Sequence, residues 1–226
     1  ERGVLALVGS GEYLEGMQAV DRELVGRLAQ PARVVCLPTA AGQEGSERIL
    51  YWSRLGVEHF TGLGAQVQAL PVIDRHSANE QRWAEEISHS HVVYLSGGTP
   101  AYLHHTLEDS LVWSAIQGVL LKGGILAGCS AGAMVLGEIY FGFPGWKPGF
   151  NLLPGATIIP HFEEIPAMML KPARLLAGRK VTILGIEGST ALMLDGQQAE
   201  VLGRGGVTVW NGSGRQRYTA GQAPVW

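Results

Sequence analysis

Cysteine is scarce: Cys36 and Cys129 are the only two in 226 residues. Both stand in or beside apolar segments. That excludes a disulfide framework of the kind that staples small secreted domains, and a reducing, cytoplasmic setting is the expectation. Charge is also sparse, at 16% of residues and a formal net charge of −3. No lysine or arginine cluster tracks along the chain, so nucleic acid is not an expected partner. No apolar run reaches membrane-spanning length and no signal-peptide pattern opens the sequence, so a membrane is not expected either. There is no internal repeat and no long linker. No carboxylate or thiol near His89-Ser90-His91 completes a ligand set, and neither a metal nor another cofactor is expected.

Apolar residues make up 46% of the chain, which at this length can bury a sizeable core. The first two-thirds alternates short β-rich runs with amphipathic stretches. Val4–Val8, Val34–Leu37, Gln66–Leu70, Val92–Leu95 and Ile125–Ala127 read as strands. Met17–Ala29, Ser46–Leu55 or a little beyond, Ala78–Ser88, Ala101–Glu108 and Leu111–Leu121 read as helices between or beside them. Continuous apolar strands alternating with helices predict an α/β fold of three layers, a mostly parallel central sheet covered by helices on both faces. After Lys180 the runs shorten and Gly, Asn, Asp and Ser separate them, which predicts antiparallel strands packed on that sheet or extending it. One domain over residues 1–226 is expected.

The segment Gly124–Ala133 reads as a buried strand entering G-x-S-x-G and then a run of small helix formers. A serine at that spacing fits a strained strand-to-helix turn, where its hydroxyl is lifted clear and a helix N-terminus favours developing negative charge. Ser130 is thus the candidate nucleophile. Its proton needs a base, and of the seven histidines only His161, at the end of an apolar strand, follows it. Strands of a parallel sheet share a carboxyl edge, so the two can meet there. An orienting acid could come from Glu138, the one acidic residue between them, or from Glu163 or Glu187. For the tetrahedral oxyanion, the N–H of Ala131 after the nucleophile and a donor from the Gly97-Gly98 turn are the candidates. The Gly142–Phe150 stretch reads equally as a lid or as a packed aromatic loop.

Ser-Gly-Gly-Thr-Pro at 96–100, Gly-Cys-Ser-Ala-Gly-Ala at 128–133, Leu-Leu-Pro-Gly…Ile-Pro-His-Phe at 152–162 and Leu-Gly-Ile-Glu-Gly-Ser-Thr-Ala-Leu at 184–192 together resemble the serine peptidases of family S51. That family includes aspartyl dipeptidases and cyanophycinases. The resemblance implies a class I glutamine amidotransferase-like, flavodoxin-like fold. It also implies Ser130 as nucleophile, His161 as base, and Gly98 and Ala131 as oxyanion donors. Members place the acid between serine and histidine, which favours Glu138 over Glu187 and Glu163. The implied substrate is a small peptide with an aspartyl residue, cleaved without a metal.

Thr99 stands where characterised members tend to carry Asn or Asp near the substrate, and Arg174 is the candidate partner for a substrate carboxylate. The arginine-rich run of cyanophycinases is missing after His161, so a β-aspartyl substrate is the alternative rather than the first expectation. A homodimer is compatible with the sequence. Two other enzyme classes fit less well. An α/β-hydrolase would carry its histidine nearer the carboxyl terminus, and a glutaminase would need cysteine at the bend, where Cys129 stands one residue early. A non-catalytic ligand-binding domain of the same fold is the reading from outside enzymology.

Overall fold

The computed structural model describes residues 3–142, 144–166, 168 and 181–226. Five strands run parallel: β1 (Val4–Val8), β2 (Arg33–Leu37), β3 (Gln66–Ala69), β4 (Val92–Leu95) and β5 (Ile125–Cys129). Between them lie α1 (Gln18–Gly26), α2 (Ser46–Gly62), α3 (Gln81–Ser88), α4 (Pro100–Leu107) and α5 (Leu111–Leu121). A four-residue helix, α6 (Ala131–Met134), leaves β5 directly. A hairpin of β6 (Ile139–Gly142) and β7 (Gly145–Pro148) precedes β8 (Ala156–Pro160). The remaining strands are β9 (Thr182–Ile186), β10 (Thr190–Asp195), β11 (Gln198–Gly203), β12 (Gly206–Asn211) and β13 (Gly214–Thr219).

The main sheet has the order β11-β10-β1-β5-β4-β2-β3, with β10 and β11 antiparallel at one side. Side chains alternate across a strand, and here the alternation sorts the core into two layers. Val4, Ala6 and Val8 of β1, with Val34, Cys36, Tyr94 and Ala127 from its neighbours, pack under Val20 and Leu24 of α1 and Phe60 of α2. Leu7, Val35, Val93 and Leu126 face the other way, onto Leu103 of α4 and Val112, Ile116 and Val119 of α5. Strands buried on both faces must be apolar throughout, and that is why they read as continuous runs.

The structure refines the sequence expectations in three places. The helix read over Met17–Ala29 ends at Gly26, and the one read from Ala78 starts as a 3-10 turn before α3. The Gly142–Phe150 stretch carries the end of β6 and all of β7, with Phe150 stacked on Trp113 at 3.6 Å between ring centroids. The carboxyl-terminal strands divide between two sheets. β10 and β11 extend the main sheet, while β9, β12 and β13 join β8 in a second sheet of order β13-β12-β9-β8. In that second sheet β8 and β9 run parallel, and Ile158, Leu184, Ile186, Val207 and Val209 complete the core on the α5 side. Among the described residues no helix is long and apolar enough to cross a membrane.

Candidate active site

The carboxyl ends of β1, β2, β4 and β5 share one edge of the main sheet, fixed by the register of Val8 with Cys129, Leu95 with Gly128 and Leu37 with Leu95. Ser130 leaves that edge with φ 51° and ψ −112°, far from the conformations an L-residue ordinarily adopts. Both glycines of the motif are required by close approach. A β-carbon on Gly128 would collide with the Gly132 carbonyl, and one on Gly132 would collide with the carbonyl of Leu95. The bend is therefore pressed against β4 with no room for side chains, and Ser130 is forced to the apex. Because α6 has only four residues, its dipole adds little; the local N–H groups matter more.

His161 follows β8 and takes a left-handed conformation, φ 59° and ψ 43°, which reverses the chain at the strand end. Its neighbour Phe162 is buried over Gly185 of β9, and Glu163 accepts a 2.7 Å hydrogen bond from the Gly188 N–H. Held by those two anchors, His161 brings Nε2 to 3.1 Å from Ser130 Oγ. Gly98 and Thr99, on the turn after β4, are exposed, and Thr99 forms the N-cap of α4 without using its hydroxyl there. The Gly98 N–H has no acceptor among the described residues, and Ala131 opens α6, where a helical N–H has no intrahelical partner.

The carboxylates are distributed otherwise than the sequence favoured. Glu138 accepts from the Gly155 N–H at 2.6 Å, at the amino-terminal end of β8. The five residues of β8 separate Gly155 from His161, six steps and roughly 20 Å of strand, so Glu138 stabilises the turn before β8 and does not reach the imidazole. Glu187 adjoins His161 in the sheet, one position past the Pro160–Ile186 pair. Its two oxygens, however, are taken by Arg217, each at 2.6 Å, and by the Gly206 N–H at 2.9 Å. Those hydrogen bonds, Arg217's first, hold the Glu187 carboxyl below its ordinary range. Glu163 is engaged by Gly188 as described.

Among the described residues the carboxylate that does approach is Glu164, with Oε1 3.8 Å from His161 Nδ1, and it is largely exposed. Sequence reasoning passed over it because an exposed Glu-Glu pair carries no distinguishing pattern. Arg174 lies outside the described residues. Cys129 is fully buried, and burial, then the neighbouring Glu12 carboxylate, push its thiol well up, so it is no thiolate nucleophile. A cleft of about 510 Å³ lined by Gly3, Leu5, Pro154, Leu194 and Trp226 opens at the opposite, amino-terminal edge of the sheet, away from this chemistry.

The profile of Peptidase family S51 matches residues 5–202. The chain belongs to peptidase family S51. A crystal structure of a peptidase from an acI-B1 Actinobacterium superposes on this S51 chain with a TM-score of 0.90 at 34% identity, covering 100% of this chain and 97% of that one. A candidate peptidase E protein from Listeria monocytogenes EGD-e shares the fold, with a TM-score of 0.69 at 17% identity over 90% of this chain and 100% of its own. No curated protein matches. The protein is a peptidase with an α/β fold built on a mostly parallel seven-stranded sheet.

Proposed function

We propose that this S51 peptidase is a serine-type enzyme that hydrolyses small peptides, a dipeptidase preferring an amino-terminal aspartyl residue. The observation supporting this reading is the backbone of Ser130, held at φ 51°, with its hydroxyl 3.1 Å from His161 Nε2. In the proposed reaction Ser130 Oγ attacks the scissile carbonyl while its proton passes to Nε2. The oxyanion is met by the N–H groups of Gly98 and Ala131, each commonly worth about 3 kcal/mol in such sites. Collapse breaks the C–N bond, and the imidazolium returns the proton to the leaving amine. Water, deprotonated by the same imidazole, then attacks the acyl-enzyme and frees Ser130.

Glu164 is the carboxylate proposed to face Nδ1 of His161. Its exposure makes its influence small. Aspartyl preference rests on the motif resemblance, with Thr99 and Arg174 as the proposed substrate contacts. A panel of Asp-X, Glu-X, β-Asp-X and neutral-X dipeptides, given to wild type, Ser130→Ala and His161→Ala, tests the reading. Cleavage confined to Asp-X and lost in both variants is expected. Cleavage of β-Asp-X alone would reassign the substrate, and near-native turnover by Ser130→Ala would remove the serine mechanism.

A further inference from the structure

Glu12 is a buried carboxylate that the proposed chemistry leaves unused. It lies in the loop after β1 with only 6% of its surface exposed. One oxygen, Oε1, accepts the Gly97 N–H at 2.9 Å, and the other, Oε2, accepts the Cys129 thiol at 3.0 Å. Gly97 opens the turn carrying the candidate oxyanion donor, and Cys129 is the residue before the candidate nucleophile. A single carboxylate thus ties the two halves of the site together from a third loop.

The consequence is geometric. A β-carbon on Gly97 would stand 2.8 Å from Glu12 Oε1 and 3.4 Å from Ser130 Cβ, so Gly97 is wedged between the carboxylate and the serine side chain. With its own N–H turned inward to Glu12, the next N–H, that of exposed Gly98, is the one left to face a substrate. Without an acceptor at Glu12, the buried Gly97 N–H would have no partner, and the turn would have to rotate to find one.

We propose that Glu12 is a positioning residue that sets the oxyanion-binding turn after β4 relative to Ser130, acting by accepting the Gly97 N–H. The inference rests on the reading of Ser130 as nucleophile. A carboxylate is suited to the task because it is an acceptor at both oxygens and can bridge two donors.

The test uses a fluorophosphonate probe, whose phosphoryl oxygen needs the same N–H donors and which requires no knowledge of the peptide substrate. The second-order rate of Ser130 labelling is measured for wild type, Glu12→Leu, Glu12→Gln and Ser130→Ala, with the melting temperature of each. Loss of one oxyanion donor commonly slows such sites by about 100-fold or more; a partly displaced turn in Glu12→Leu is expected to slow labelling at least about tenfold. Glu12→Gln keeps a carbonyl acceptor for the Gly97 N–H and is expected to label within about threefold of wild type.

Labelling of Glu12→Leu at the wild-type rate, or of Glu12→Gln as slowly as Glu12→Leu, would overturn the inference while Ser130 remains the nucleophile. Absence of labelling in wild type would instead overturn the nucleophile reading beneath it. Should Glu12→Leu fail to fold, Glu12→Asp takes its place. Its shorter side chain cannot reach both donors, so slowed labelling supports the inference and an unchanged rate overturns it.

Discussion

Replacing Ser130 by glycine and by alanine separates backbone strain from everything else the residue does. Both variants lose the hydroxyl and its contact with His161 Nε2. Only glycine also relaxes the backbone, because φ 51° with ψ −112° is open to a residue without a β-carbon. A non-glycine residue in so sparsely populated a region stores about 1–3 kcal/mol. Glycine gives back about 0.4–1 kcal/mol by enlarging the unfolded ensemble. At the middle of those ranges the difference leaves Ser130→Gly more stable than Ser130→Ala by about 1.3 kcal/mol. In a chain of 226 residues each kcal/mol moves the melting temperature by about 2–4 °C, so a gap of about 3–5 °C is expected. Thermal and urea denaturation of the two inactive variants measure it directly. If Ser130→Gly melts at or below Ser130→Ala, the bend is not strained and the argument for a sprung nucleophile fails.

Gly132→Ala drives a β-carbon into the Leu95 carbonyl, where neither atom can swing aside, and overpacking of that kind costs about 1–3 kcal/mol; a lower melting temperature with slowed Ser130 labelling is expected, and an unchanged protein would contradict the packing described. The Glu187–Arg217 pair predicts a pH signature. Because the folded carboxyl is held below its unfolded value of about 4.3, its stabilisation is complete above that value and fades as pH falls through the folded pKa. The melting-temperature gap between wild type and Glu187→Gln should therefore be widest near neutrality and close in strong acid; a gap independent of pH would refute it. Glu164→Gln should lower kcat by less than about tenfold, since an exposed pair contributes about 0–1 kcal/mol; a loss of a thousandfold would make that carboxylate indispensable.

Much of this molecule is legible in its sequence, and for local reasons. Strands such as Val92–Leu95 are apolar at every position because both faces are covered, so their type and parallel arrangement follow from pattern. The bend at Ser130 is equally local: the two glycines that permit it stand within two residues of the serine. His161 stands out as the one histidine after Ser130, but its strand, β8, belongs to the second sheet, so the 3.1 Å approach comes from the two sheets packing together and not from a shared sheet edge.

The carboxylates were decided by tertiary structure alone. Glu138 lies between Ser130 and His161 in the sequence, yet its side chain settles on Gly155, a strand's length from the imidazole. Glu187 reaches the right edge and is drawn aside by Arg217, a residue two strands away across the second sheet. Glu12 meets Cys129 across 117 residues of chain. Backbone conformation is governed by neighbours in sequence, which a pattern can expose. Where a flexible, charged side chain finds its hydrogen-bond donors depends on surfaces that exist only once distant segments have packed.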